Sequence, residues 1–300
     1  MRQGTEGDDG ASGAPGREGP PDYEIPEERL PPGFVETVTK MPDVVAVPFP
    51  AATVVLMRES SAGPEVLLLR RNRATGFVPG AYVFPGGRVD KADGDEALVR
   101  CWNGLTREGA ERRLGLGPDA DPPAIAYYGA AVREAVEETG LLPAVVGGVR
   151  DEGGGELSGR AVGEAREALL GQGVPFARVL GRLGARLDGA AVEYIAHWVT
   201  PAVEPRRYDT RFFAARVPRG SAAVYDEREM TDAAWLTPGS ALDRHRDGRL
   251  PMIFPTIRTL EDLCDFATVD ELLTYYRSRA IARVQPEIVR TATGVALRVS

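Results

Sequence analysis

The stretch Arg133-Glu134-Ala135-Val136-Glu137-Glu138-Thr139-Gly140-Leu141 constrains this chain more than any other, because it places three carboxylates on one face of a helix. Positions three and four apart on a helix are neighbours, so Glu134, Glu137 and Glu138 converge. Like charges that close repel, and the answer is Arg133, a bound divalent cation, or a proton on one carboxylate. Tyr128, Ala131, Val132, Ala135 and Val136 supply the buried stripe of this helix, and Gly140 is its expected stop. Asp121 is the candidate N-cap, with Pro122 at the first helical position. The carboxylates therefore fall in the last turns, where the partial negative charge of a helix C-terminus adds to the repulsion.

A second informative stretch lies upstream. Residues 76–87 are rich in Gly and Pro, carry Tyr82, Val83 and Phe84 as a short strand, and end in Gly86-Gly87. Adjacent glycines make a turn freely and let a backbone approach a ligand closely. Before it, Val44 to Met57 and Glu65 to Arg70 read as two paired strands. Arg70, Arg71 and Arg73 follow, either reaching substrate phosphates or keeping an edge soluble.

The rest of the chain mixes helices and strands without regular alternation. Gly94 to Leu116 reads as helical, with Leu98, Trp102 and Leu105 on one face. Ser158 to Leu187 reads as two short amphipathic helices broken at residues 171–175. Strand signals return at Val192 to Thr200, Thr210 to Val217 and Ala233 to Leu236. Helices are expected from Met252 to Asp265 and from a capping box at Thr268-Val269-Asp270-Glu271 into Leu272, Leu273 and Tyr276. Residues 1–30 form a Gly, Pro and acidic tail too poor in apolar side chains to order itself. Residues 40–280 form the domain, and residues 281–300 form an extension that adds an edge strand or hangs loose. This pattern predicts an α+β fold, and no Gly-x-Gly-x-x-Gly opens a helix after a strand.

Charge and composition exclude several function classes. A formal charge of −8 offers no global footprint for DNA or RNA. No run approaches the ~18 uninterrupted apolar residues that cross a bilayer, and no apolar segment follows a basic start. Cys101 and Cys264 stand too isolated for a disulfide framework or a cysteine zinc site. The expected location is the cytoplasm, without nucleic-acid or membrane partners; nothing in the sequence fixes an oligomeric state.

Residues 133–141 resemble the second half of the Nudix hydrolase signature, Arg-Glu-U-x-Glu-Glu-x-Gly-U with U aliphatic, Ala135 standing at an aliphatic position. Pro85-Gly86-Gly87-Arg88-Val89-Asp90-Lys91-Ala92-Asp93 resembles the first half, with Gly87 as the box glycine and Asp93 replacing its first Glu. The spacing between Asp93 and Arg133 exceeds the family pattern by about thirty residues, so residues 94–124 read as an insertion. This resembles the family branch of the mammalian coenzyme A diphosphatase, whose box is likewise interrupted. Its flanking elements are similar to residues 77–84, to Tyr208 to Phe213 and to Trp235-Leu236-Thr237-Pro238.

The resemblance implies an αβα sandwich around a mixed sheet, with a helical C-terminal extension. It also implies hydrolysis of a phosphoanhydride in a nucleoside diphosphate linked to another group, with coenzyme A or acyl-CoA as the specific version. Mg²⁺ or Mn²⁺ would be held by Glu137 and Glu138, which suits a hard cation that wants oxygen ligands. Glu134 is a third ligand or the base that deprotonates the attacking water. Arg133 holds a carboxylate in place or contacts phosphate, while Gly86, Gly87 and Arg71 approach the substrate. A loop acid would complete the site, Glu229 first and Glu227 as the alternative. Tyr82 and Tyr208 are candidates for stacking on a base or for packing. The competing class is a non-catalytic nucleotide-metabolite binding or regulatory module, which predicts a broken carboxylate set.

Overall fold

A computed structural model describes residues 22–27, 35, 41–72, 79–147, 159–225 and 230–299. In chain order the strands are β1 (Tyr23–Pro26), β2 (Phe49–Ser60), β3 (Gly63–Arg71), β4 (Tyr82–Val83), β5 (Gly86–Arg88), β6 (Trp102–Asn103), β7 (Val145–Gly147), β8 (Ala185–Asp188), β9 (Val192–Val199), β10 (Tyr208–Arg216), β11 (Met230–Leu236), β12 (Arg283–Val284), β13 (Glu287–Arg290) and β14 (Gly294–Arg298). The helices are α1 (Glu96–Val99), α2 (Arg107–Leu114), α3 (Ala124–Thr139), α4 (Gly159–Gln172), α5 (Phe176–Leu183), α6 (Pro238–Arg246), α7 (Phe254–Leu263) and α8 (Val269–Arg277).

The central sheet has the order β11-β3-β2-β10-β9-β12, with β4 paired to β3 and β5 to β2. It is mixed, since β10 runs parallel to β2 and β12 parallel to β9, whereas β2 and β3 are antiparallel. Side chains alternate between its faces. Ala52, Val54 and Leu56 of β2 with Leu67 and Leu69 of β3 pack toward α3, and Val55, Met57, Val66 and Leu68 pack toward α7 and α8. Both faces are covered, which explains why β2 and β3 read as nearly continuous apolar runs. The result is an α+β fold, an αβα sandwich around a mixed sheet. Among the described residues no helix is long and apolar enough to cross a membrane.

Strands β2 and β3 pair directly only from Met57 and Val66 to their hairpin turn. Beyond that point β4 pairs with β3, placing Val83 opposite Leu69, and β5 pairs with β2, placing Gly87 opposite Ala52. The glycine strand thus lies within the sheet, under α3.

Several expectations need correction. Residues 94–116 do not form one helix or hairpin. A 3-10 turn at Lys91–Gly94 leads to the short α1, strand β6 and then α2. Trp102 lies on β6, opposite Leu187 of β8, and its ring meets Tyr128 edge-on at 6.2 Å. Long-range pairing with a strand beyond the box helix takes precedence here over local helical spacing. Helix α3 is capped by Pro123 and starts at Ala124, two residues later than the Asp121 cap implies. Thr268 caps α8 by accepting from the Glu271 amide at 3.1 Å, but the Glu271 carboxylate reaches the Ala267 amide, so the reciprocal half of the box is shifted by one residue.

The reading of residues 1–30 as a disordered tail falls mostly outside the described residues. Within it, Tyr23–Pro26 is the strand β1, paired with β14, which pairs in turn with β13. The Tyr23 ring rests 5.3 Å from Phe254, so partners distant in sequence supply the burial that local composition lacks. Helix α6 follows Trp235-Leu236 of β11, with Thr237 as its cap and Pro238 in its first turn.

Candidate active site

The carboxylates of α3 are organised by Arg133, whose side chain is largely buried. Its Nε donates to Asp93 Oδ1 at 2.8 Å and one terminal nitrogen to Asp93 Oδ2 at 3.0 Å. The other terminal nitrogen donates to Glu134 Oε1 and Glu137 Oε2, each at 2.8 Å. The Arg88 carbonyl accepts a further bond at 3.0 Å. This planar fork ties together both halves of the divided sequence motif. Asp93, only 2% exposed, also accepts from the Asp90 amide at 2.8 Å, which fixes the turn that leaves β5.

The glycines meet the same helix. The Gly86 amide donates to Glu138 Oε2 at 3.1 Å. A Cβ at Gly87 would lie 2.3 Å from Glu134 Oε1, so any larger residue there would push that carboxylate out of its place. At the end of α3, Gly140 takes the left-handed conformation with φ of 64° and its amide donates to the Val136 carbonyl. Arg166 of α4 donates to the Glu137 carbonyl at 2.7 Å, a cation placed where the helix dipole favours one. No local spacing relates Arg166 to the box, so sequence reasoning missed it.

Two of the three answers to carboxylate repulsion can come from the chain's own groups. Arg133 neutralises the cluster directly. Burial, aided by the field of Glu137 and opposed by Arg133, also pushes the Glu134 carboxyl up to about 7. Glu137 is raised as well, chiefly by burial, with Arg133 opposing. For Arg133 itself burial works against the charge, but Asp93, Glu134 and Glu137 more than offset it and its pKa rises.

The other sequence candidates divide into three groups. Arg71 ends β3 on the face shared by Leu67 and Leu69, and its buried Nε has no hydrogen-bond partner among the described residues. Tyr82 is packing: its ring is buried and its hydroxyl donates to Asp232 at 2.6 Å, and burial, joined by that bond, raises its pKa to about 12. Tyr208 sits 6.2 Å from Phe49, with the Arg206 guanidinium 5.5 Å from its ring. Asp226, Glu227 and Glu229 lie outside the described residues, as does Phe77.

Among the described residues, no group of three or more His, Cys, Asp or Glu side chains is preformed to hold a metal ion. The donor chemistry nevertheless suits a hard divalent cation, because every candidate atom is a carboxylate oxygen. Arg133 engages one oxygen of Glu134 and one of Glu137, and its nitrogen stands between them as a cation.

A glycine strand set against helix carboxylates on a mixed sheet, sandwiched between helices, defines a Nudix hydrolase. The family model described as the NUDT19 Nudix domain matches residues 45–263, and the chain belongs to that family. It is 30% identical over 255 residues to a Gallus gallus protein named acyl-coenzyme A diphosphatase NUDT19, covering 74% of this chain and 68% of the relative. The Homo sapiens protein of the same name is 28% identical over 271 residues, covering 78% and 70%. Among solved structures, a NUDIX hydrolase from Alicyclobacillus acidocaldarius matches with a TM-score of 0.61 at 27% identity, covering 77% of this chain and 97% of that one.

Proposed function

We propose that this Nudix hydrolase splits the phosphoanhydride of coenzyme A or an acyl-CoA, with residues 40–280 as the catalytic domain and 94–124 as its insertion. The observation that carries the reading is the meeting of Gly86 and Gly87 with Glu138 and Glu134 across that insertion. The printed names of the relatives support the CoA-type substrate. Nudix hydrolases generally use divalent metals, and Glu137, Glu138 and a second oxygen of Glu134 would hold Mg²⁺ or Mn²⁺ here. When bound, that ion neutralises the diphosphate and lowers the pKa of the attacking water.

The chain's own residues do the rest. Glu134 is the third ligand or, left off the ion, the general base, a role that suits a buried carboxyl raised toward neutrality. Arg133 positions Glu134 and Glu137 while Asp93 holds Arg133. Gly86 and Gly87 let the backbone approach the diphosphate, and Arg71, at the end of β3, is the candidate phosphate contact. Glu229 remains the proposed loop acid. The non-catalytic alternative predicts a broken carboxylate set, whereas Glu134, Glu137 and Glu138 are all present. Two free cysteines support a reducing, cytoplasmic location.

A substrate panel tests the proposal. With Mg²⁺ and Mn²⁺ the protein is offered CoA, acyl-CoAs, NADH, ADP-ribose, nucleotide sugars and dinucleoside polyphosphates. Release of 3′,5′-ADP with a phosphopantetheine product is expected. Preference for another member would overturn the CoA assignment, and no turnover of any would favour the binding module.

A further inference from the structure

The insertion and the C-terminal helix, which the proposed chemistry does not use, build a second charged site between them. A cleft of about 370 Å³ lies where the end of α2 meets the end of α8, and Arg112, Arg113, Arg277 and Arg279 line it together with Tyr194 and Ile281. Its charge is opposite in sign to that of the chain, which is −8 overall.

The arginine at its base is held rigid. Arg113 donates to the carbonyls of Tyr194 and Tyr276, each at 2.6 Å, and to that of Arg279 at 3.0 Å. Its guanidinium lies 5.3 Å from the Tyr194 ring, and among the described residues its buried Nε has no hydrogen-bond partner. Three carbonyls, one on β9 and two around the end of α8, therefore fix a positive charge between the insertion and the C-terminal helix.

The opposing charge is incomplete. Glu193, 6% exposed, accepts from Arg277 Nε at 2.8 Å and lies 4.0 Å from Arg113 Nε. Asp262 feels the charge of Arg279, whose guanidinium covers the Tyr275 ring at 4.8 Å. Arg112 is exposed in the last turn of α2, with Glu108 one turn back as the acid that feels its charge. Four guanidiniums around one cleft, with Glu193 as the only acid ion-paired to them among the described residues, leave a positive excess that a multiply charged anion would relieve.

We propose that this cleft binds a small phosphate-bearing anion, of phosphate or diphosphate class, at a site separate from the carboxylates of α3. Arg113 and Arg277 fix positive charge at the base through their bonds to Tyr194, Tyr276, Arg279, Glu193 and Ala190, and Arg112 and Arg279 on the rim supply the planar forks that recognise phosphate oxygens. A polymeric nucleic acid does not fit, because the basic surface is one cleft on an acidic chain and not an extended track. The inference is independent of the proposed substrate. It gives the insertion a purpose, since α2 supplies two of the four arginines.

Inorganic pyrophosphate is the probe, titrated calorimetrically into the full chain at constant ionic strength with EDTA present. Without a divalent ion the α3 carboxylates repel it, so binding there is suppressed. The wild type should show one saturable site. Arg112→Ala/Arg279→Ala removes two rim side chains and leaves the backbone carbonyl that Arg113 uses, so the melting temperature should hold while affinity falls at least tenfold. Unchanged affinity in that variant, or no saturable binding by the wild type, would overturn the site. Affinity that is unchanged in the arginine variant but rises in Glu137→Gln/Glu138→Gln would place the anion beside the α3 carboxylates and overturn the site equally.

Discussion

At the scale of single residues, Arg133 ties the carboxylates of the candidate site together. Removing one partner of a buried ion pair leaves the others uncompensated, a loss of about 3–5 kcal/mol. Arg133→Ala should show a loss of that size in urea unfolding, because it strands Asp93 along with Glu134 and Glu137. Arg133→Lys should recover only part of it, since an ammonium cannot reproduce the fork. A loss below about 1 kcal/mol for the alanine variant would show that the network contributes little. Glu134 adds a pH signature. Its carboxyl is raised from 4.5 to about 7 in the folded chain, so the native state holds a proton that the unfolded state releases. Its contribution to stability is full below pH 4.5 and is lost as the pH rises through about 7. Metal-free melting temperatures should therefore decline across that window, and Glu134→Gln should flatten the decline. An identical pH slope in the variant would refute the assignment.

At the scale of elements, α3 and β5 act as one unit. Gly87→Ala puts a methyl group against the Glu134 carboxylate, so that side chain must leave its Arg133 bond. We expect turnover to fall at least a hundredfold while far-ultraviolet circular dichroism stays native; wild-type turnover would show that the close approach is dispensable. Elements set by local pattern were legible in sequence: the β2–β3 hairpin, the apolar stripe of α3 and the Gly140 stop. Elements set by distant partners were not. Strand β6 exists because Trp102 finds Leu187, and β1 because it finds β14, and neither relation leaves a periodic trace. The site divides in the same way. Its carboxylates and glycines announced themselves by spacing, whereas Arg166 reaches the Glu137 carbonyl from another helix. The loop acids Glu227 and Glu229 lie outside the described residues.

At the scale of the molecule, the sheet brings together what the sequence separates. Arg133 and Asp93 are 40 residues apart yet share a bidentate bond, and the intervening segment folds outward into α1, β6 and α2. Closing such a loop costs little more than closing a short one, because the entropy grows only with the logarithm of length. An interrupted motif can therefore bring its glycines and carboxylates together as an uninterrupted one does. The most direct test is the initial rate of CoA hydrolysis with saturating Mg²⁺ or Mn²⁺ for the wild type and for Glu137→Gln/Glu138→Gln. The variant should keep the native melting profile and lose nearly all turnover. Undiminished turnover in the purified variant would contradict the assignment of α3 as the metal site.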